Sequence, residues 1–146
     1  MKTLEFKVDI KASAKKVWDT MLTPESYKEW VHVSWPNSFY VGTWDEGKDV
    51  KFLSSSGEGT LATLTKVKPY ELLEAKHVAV LLKDGSEDRE SKVAEGWVGT
   101  TETYRFSEKN GNTELKITIK TSPDWEQMFS EGWPNALKKL KEMSEN

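Results

Sequence analysis

Hydrophobic and charged residues alternate strictly at the start of the chain. Leu4, Phe6, Val8 and Ile10 share one face of an extended segment, and charged residues stand between them. A hydrophobic period of two predicts a half-buried strand over residues 3–11. After this strand the spacing of apolar residues changes to three and four, which is the period of a helix.

Two short helices are predicted to follow the first strand. Ser13 is a suitable N-cap for a helix that ends near Leu22. Thr23-Pro24-Glu25 predicts the start of a second helix, because Thr is a favoured N-cap, Pro is tolerated at the first helical position and an acid suits the first turn.

Further strands are predicted in the middle of the chain, where β-branched or alternating segments are separated by turn-forming residues. They are expected at residues 38–43, 49–54, 59–68, 72–82, 98–107 and 113–121. The Asn110-Gly111 pair between the last two is a strong hairpin signal. Residues 83–96 are rich in charged side chains and too long for a tight hairpin, so we interpret them as a solvated polar loop.

A long C-terminal helix is the last predicted element. It should start at Ser122-Pro123, and apolar residues then recur at three- and four-residue spacing as far as Leu140. Pro134 has no N–H to donate to the carbonyl of Ser130, so we expect a kink or a restart of the helix there.

This order of elements predicts one α+β domain that spans residues 1–146. A seven-stranded antiparallel sheet must bury one face, and only the C-terminal helix has an apolar stripe long enough to cover it. We therefore expect a curved seven-stranded antiparallel sheet wrapped around a long C-terminal helix, with two short helices between strands 1 and 2. A strongly curved sheet of this kind leaves space between itself and the helix.

The composition excludes several classes of function. The chain has no Cys and only two His, which excludes disulfides, thiol catalysis and a three-His metal site. Its formal net charge of −3, with the two signs interspersed, gives no reason to expect nucleic-acid or membrane binding. No apolar run approaches the roughly 20 residues of a membrane span, and the N-terminus does not resemble a signal peptide. We expect a cytoplasmic protein without a metal or a cofactor.

The aromatic content is high. Seven Trp, five Phe and four Tyr make up 11% of the chain. Because Trp buries a large area but is hard to bury completely, this content favours either a thick aromatic core or an aromatic-lined cavity. We assign Trp18 to the core. By strict alternation Trp97 falls on the same face as Arg105, unless Gly96 or Gly99 introduces a bulge.

Two titratable residues are predicted to point into the domain. His77 shares its predicted face with four apolar residues, Leu73, Ala75, Ala79 and Leu81. Glu102 shares a face with Tyr104, and a buried carboxylate needs a partner. His77, Tyr70, Tyr104 or an indole N–H would each serve. The pair is open to three interpretations: a structural contact that orients the core, a polar anchor in an apolar pocket, or an acid–base pair.

Several short motifs lie in a fixed order along about 130 residues. They are Ala14-Lys15-Lys16-Val17-Trp18, Thr23-Pro24-Glu25 with Trp30, Trp44-Asp45-Glu46-Gly47, Gly57-Glu58-Gly59-Thr60, Pro69-Tyr70-Glu71-Leu72-Leu73, Gly85-Ser86-Glu87-Asp88, Trp97, Glu102-Thr103-Tyr104, and Gly132-Trp133-Pro134-Asn135-Ala136-Leu137 with Leu140. In this order they resemble the START-like, or SRPBCC, superfamily, and more narrowly the family named after the C-terminal domain of the activator of the heat-shock chaperone ATPase. The resemblance implies the helix-grip fold, with a cavity between sheet and helix.

We therefore expect the domain to bind a small hydrophobic or aromatic ligand, lipid- or polyketide-like, in that cavity. The residues predicted to line it are Trp30, Trp44, Phe52, His77, Trp97, Glu102, Tyr104, Phe129 and Trp133. Trp125 is a further candidate. His77 and Glu102 would orient a polar group of the ligand, and residues 83–96 would act as a lid.

Two other functions remain open. One is a cyclase- or hydrolase-type enzyme that uses His77 and Glu102. The other is a co-chaperone-like interaction domain, which would contact a chaperone or a second copy of the chain as a homodimer.

Overall fold

An antiparallel sheet forms one layer of the protein. The computed structural model describes residues 1–146 and contains eight strands. They are β1 (Lys2–Ile10), β2 (Phe39–Val41), β3 (Asp49–Leu53), β4 (Gly59–Lys68), β5 (Leu72–Leu81), β6 (Glu87–Asp88), β7 (Thr101–Lys109) and β8 (Asn112–Thr121). Seven of them follow the order β1-β8-β7-β5-β4-β3-β2, and β6 pairs separately with β5. Every pairing is antiparallel.

Helices form the second layer. They are α1 (Ala14–Leu22), α2 (Pro24–His32), α3 (Lys92–Trp97) and α4 (Glu126–Glu145), and a short 3-10 helix (Pro123–Trp125) precedes α4. The predicted cap of α1 is present, because the Ser13 hydroxyl accepts a hydrogen bond from the Lys16 N–H. None of the helices combines the length and apolar sequence that a membrane crossing requires.

The long C-terminal helix packs across the other elements as predicted. It contacts β1, α1 and α2, and its apolar stripe contributes to the main hydrophobic core. The buried residues of this stripe include Phe129, Trp133, Ala136, Leu137 and Leu140. The expected helix-grip α+β architecture is therefore confirmed, with the two-residue strand β6 as an eighth strand.

The prediction of a polar loop over residues 83–96 is wrong. This segment contains β6 and the helix α3, whose N-cap is Ser91. The Ser91 hydroxyl accepts a hydrogen bond from the Ala94 N–H at 3.2 Å. Val93 and Trp97 are one helical turn apart, but the charged residues around them hid this period from the sequence pattern. Because of α3, β7 starts at Thr101 and not at residue 98.

The expected restart of the last helix at Pro134 does not occur, since α4 is continuous from Glu126 to Glu145. The turn before the proline is tied to the segment that follows α2, because the Ser34 hydroxyl donates a hydrogen bond of 2.6 Å to the Gly132 carbonyl. A Cβ atom on Gly132 would lie 2.6 Å from Cζ2 of Trp35. Glycine at this position therefore allows the Trp35 ring to lie directly on α4.

A β-bulge in β5 interrupts the alternation that the sequence suggests. The register of the β4–β5 pair passes from Leu61↔Ala79 to Ala62↔His77. One step on β4 thus matches two steps on β5, and Val78 is the extra residue. Side chains beyond the bulge consequently change face.

The residues beyond the bulge lie on different faces of the sheet from those predicted. His77 and Val80 both border the cavity described below. Ala79 and Leu81 pack with Leu61 in a separate small hydrophobic cluster. The prediction that Ala79 and Leu81 share the His77 face is therefore wrong, because a bulge shifts the period of two by one residue.

Candidate functional site: a cavity between the sheet and the helices

A cavity of about 440 Å³ lies between the sheet, the α2 and α3 helices and the start of α4. Eighteen of the 25 residues that line it are hydrophobic. Ten of the sixteen aromatic side chains of the chain, including six of the seven Trp, are among them. The volume lies within the range of about 300–1,000 Å³ that is usual for small-molecule sites.

The structure brings together all the residues that the sequence predicted for the wall. Those residues are Trp30, Trp44, Phe52, His77, Trp97, Glu102, Tyr104, Phe129 and Trp133. Trp125 lies there as well, whereas Trp18 is in the core and not on the wall. That these residues contact a ligand stays a prediction.

Trp97 reaches the wall from a helix and not through a bulge in a strand. It is the last residue of α3, which contacts β5. Gly99, with a φ of +95°, turns the chain back toward the sheet. There the Gly99 N–H donates to the His77 carbonyl and the His77 N–H to the Thr100 carbonyl, at 2.9 and 2.8 Å. These bonds hold the end of α3 against β5.

Sequence reasoning missed several residues of the wall. Tyr27 lies one helical turn before Trp30 on α2, so the shared helical face was a usable signal. Val80 was hidden by the bulge, and Val93 by the unrecognised helix α3. Trp35 follows the end of α2, and its position depends on a distant glycine in α4 that no local pattern reveals.

Aromatic rings contact one another along one side of the wall. The ring centroid of Phe52 lies 6.4 Å from that of Tyr27 and 5.9 Å from that of His77. The His77 ring lies 4.7 Å from Trp97, which in turn stacks on Phe129 at 5.7 Å with an interplanar angle of 18°. Such contacts restrict how far any one ring can rotate.

A second series of ring contacts starts from the same Tyr27. Tyr27 contacts Trp30 at 5.4 Å, and Trp30 stacks on Trp133 at 5.9 Å. Trp133 is also 6.0 Å from Tyr104 and 5.3 Å from Trp35. The two series share Tyr27, and Glu102 lies between His77 of the first series and Tyr104 of the second.

Glu102 is the polar centre of the wall. It is buried, and its Oε2 atom accepts a hydrogen bond of 2.7 Å from the Tyr104 hydroxyl. Nε2 of His77 lies 3.6 Å from the same oxygen, which is an ion-pair distance rather than a hydrogen bond. The pairing Ala75↔Glu102 in the β5–β7 ladder places the carboxylate beside the core residues of β5.

The surroundings of Glu102 determine whether its carboxyl and the neighbouring Tyr104 and Tyr27 hydroxyls are protonated. Burial alone would raise the pKa of the Glu102 carboxyl, but His77 and the Tyr104 hydroxyl favour the charged form and lower the pKa below its usual range. Burial and then the negative charge of Glu102 raise the pKa of both the Tyr104 and the Tyr27 hydroxyls. The centre of the cavity at neutral pH is thus one carboxylate beside two neutral phenols.

The charges on the wall are all acidic apart from His77. Among the lining residues there is no Lys or Arg, and the only other charged one is Glu58. Glu58 is exposed, as is Val93, which retains 59% of its surface. These two residues mark the mouth, between the β3–β4 hairpin and α3.

Buried ring nitrogens without a hydrogen-bond partner in the protein are concentrated on this wall. The Nε1 atoms of Trp44, Trp97, Trp125 and Trp133 and both ring nitrogens of His77 have no hydrogen-bond partner. By contrast, the Trp30 indole donates to the Met21 carbonyl at 3.0 Å. Native proteins leave few buried polar groups unsatisfied, so this concentration distinguishes the cavity wall from the rest of the core.

The fold and the cavity together define a helix-grip domain that encloses an apolar, aromatic-lined space. The model of the family described as "Activator of Hsp90 ATPase homolog 1-like protein" matches residues 11–145, and the chain belongs to this family. The match confirms the resemblance that the sequence motifs indicated. A comparison with curated proteins finds no match.

Solved structures with the same fold share little sequence with this chain. The Aha1 dimer from Colwellia psychrerythraea is 22% identical, with a TM-score of 0.74 over 99% of this chain and 97% of that one. Protein MLL2253 from Mesorhizobium loti is 15% identical, with a TM-score of 0.74 over 97% and 96%. DynU16, from the dynemicin biosynthetic locus, is 12% identical, with a TM-score of 0.71 over 97% and 46%. At these identities the likeness shows the fold alone.

Proposed function

We propose that this protein binds a small hydrophobic or aromatic molecule, lipid- or polyketide-like, in the cavity between the sheet and α4. The observation that carries the proposal is the cavity itself, whose lining is mostly hydrophobic and largely aromatic. Domains of this fold commonly bind hydrophobic ligands. His77 and Glu102 are the groups that would orient a polar substituent of the ligand.

The expected affinity follows from the apolar surface that a ligand would bury. A bicyclic aromatic molecule that buries about 200 Å² gains about 5 kcal/mol at 25 cal/mol per Å². Association costs several kcal/mol in lost translational and rotational freedom. Because 5 kcal/mol corresponds to a dissociation constant of about 0.2 mM before this cost, we expect a simple aromatic probe to bind in the millimolar range, and a ligand that also satisfies the polar centre to bind more tightly.

The bulge in β5 offers a matched pair of variants to test the proposal. Val80→Phe places a ring in the cavity, whereas Val78→Phe places the same ring on the opposite face of the same strand. In calorimetric titrations with 1-naphthalenemethanol we expect Val80→Phe to weaken binding at least tenfold and Val78→Phe to change it less than twofold. Absence of saturable binding to the unaltered protein, or equal effects of both variants, would contradict the proposal.

The homodimer and chaperone contacts and the cytoplasmic location stay predictions for this chain. One relative of the same fold is described as a dimer. Sedimentation velocity at micromolar concentration tests the homodimer, with a single species of twice the mass of 16.7 kDa as the expected result. A single species at the monomer mass would contradict it.

A further inference from the structure

The polar centre of the cavity has an imbalance of charge. Glu102 is buried on the wall, and no Lys or Arg side chain lines the cavity with it. His77, at 3.6 Å, supplies a positive charge only in its protonated form. The single hydrogen bond to the carboxylate comes from Tyr104, a neutral group. A buried carboxylate whose only partners are one phenol and one imidazole attracts a cation.

We propose that the ligand of this cavity is a cation, namely an aromatic or aliphatic body that carries an ammonium group, and that Glu102 binds this group. The inference rests on the proposed function, since it assigns a charge to the ligand of the same cavity.

Aromatic faces around the carboxylate suit the same ligand. Tyr104 donates its hydrogen bond to Glu102, and its ring lies 6.0 Å from that of Trp133. The ring of His77, the other partner of Glu102, lies 4.7 Å from that of Trp97. An ammonium group within about 6 Å of an aromatic centroid is attracted by the negative face of the ring, and more strongly where water is excluded. A carboxylate together with aromatic faces thus favours a cation in two independent ways.

The Glu102 carboxylate is already removed from water in the protein without a ligand. Because Glu102 is buried before any ligand arrives, the cost of removing its water falls on folding and not on binding. A neutral ligand would leave the charge as it is, and an anionic one would meet it without a Lys or Arg to offset the repulsion. The exposed Glu58 at the mouth adds a second negative charge along the path of entry.

Three probes with one aromatic body separate charge from shape. They are 1-naphthylmethylamine, which is a cation at pH 7.5, 1-naphthalenemethanol, which is neutral, and 1-naphthoic acid, which is an anion. Calorimetric titration of the unaltered protein should show the amine binding at least tenfold more tightly than the alcohol, and the acid most weakly. If the alcohol or the acid binds as tightly as the amine, the assignment of charge is wrong while the proposed function stands. If none of the three binds saturably, both are wrong.

The Glu102→Gln variant then tests whether Glu102 binds the ammonium group. It should bring the amine to within about twofold of the alcohol, because the amide of Gln carries no charge. Glu114→Gln removes the same charge from an exposed position on β8 and should leave the preference for the amine intact. Glu102→Gln with an unchanged preference would overturn the role of Glu102, and the three-probe comparison remains decisive even if this variant does not fold.

Discussion

The Tyr104 hydroxyl donates a hydrogen bond of 2.7 Å to Oε2 of Glu102, and both side chains are buried. The two residues are two positions apart on β7, so the pleat of the strand places both on the same face. The bond therefore joins two side chains of one strand. It fixes the carboxylate on the cavity wall and thereby determines where a polar group of a ligand would bind.

Removal of this donor should destabilise the protein. Tyr104→Phe deletes one oxygen and leaves the buried carboxylate without its hydrogen bond, which costs about 1–3 kcal/mol. Chemical denaturation of the variant and the unaltered protein at pH 7 measures the loss. In the Glu102→Gln background the same substitution should cost less, because the amide oxygen of Gln still accepts the bond but carries no charge. Equal losses in the two backgrounds would show that the charge of the carboxylate contributes nothing to the bond.

The ionisation of Glu102 should be visible as acid lability. Its pKa in the folded protein lies below the ordinary 4.5, so the unfolded chain takes up the proton first as the pH falls. The stabilisation from the charged carboxyl is therefore complete above pH 4.5 and is lost as the pH falls through the lower folded value. We expect the ¹³Cδ resonance of Glu102 to titrate with a midpoint below 4.5. A midpoint above that value would mean that burial prevails over His77 and Tyr104.

The two helical glycines should respond oppositely to alanine. Gly132→Ala would place Cβ 2.6 Å from Trp35 and should cost about 1–3 kcal/mol, because the ring must leave its position on α4. Gly96→Ala meets only ordinary contacts, the nearest at 3.6 Å from Nε1 of Trp125. It should be neutral or stabilise α3 by about 0.5–1 kcal/mol through helix propensity. Equal thermal midpoints for the two variants would refute the account of Gly132.

The N-cap of α3 should stabilise this helix, which borders the mouth of the cavity. Ser91→Ala removes the acceptor for the Ala94 N–H and should weaken the helix by about 1 kcal/mol. Amide exchange of Ala94 and Val98 should then accelerate about fivefold, while exchange in α1 is unchanged. Ser13→Ala is the matched control, because it removes the cap of α1 and should leave α3 protected. Unaltered exchange in α3 would show that other contacts hold it closed.

Much of the fold was predictable because strands and helices have different hydrophobic periods. The first strand, the capped α1 and the long α4 each repeat one period over enough residues to be recognised. The inward position of Glu102 followed from alternation alone, and the structure bears it out. The bulge at Val78 could not be predicted, since no local signal marks it and every face beyond it is inverted. Likewise, α3 has only six residues, too few to show a period among charged neighbours.

Some residues of the candidate site could likewise be predicted from the sequence and others could not. Phe129 could be assigned to the wall because it belongs to the apolar stripe of the predicted C-terminal helix. Strict alternation placed Trp97 on the same face as Arg105, because the pattern did not reveal the helix to which Trp97 belongs. The position of Trp35 depends on a contact with Gly132, nearly a hundred residues later. Long-range contacts of this kind are outside the reach of any local pattern.

The indole N–H resonances of the seven tryptophans test the central claim most directly. Six of these residues line the cavity, and Trp18, packed against Phe106 in the core, is an internal control. In ¹H–¹⁵N spectra recorded during a titration with 1-naphthalenemethanol, we expect the wall indoles to shift with one common dissociation constant while Trp18 remains in place. Shifts confined to surface amides, or a Trp18 resonance that moves as far as the other six, would contradict binding in the cavity.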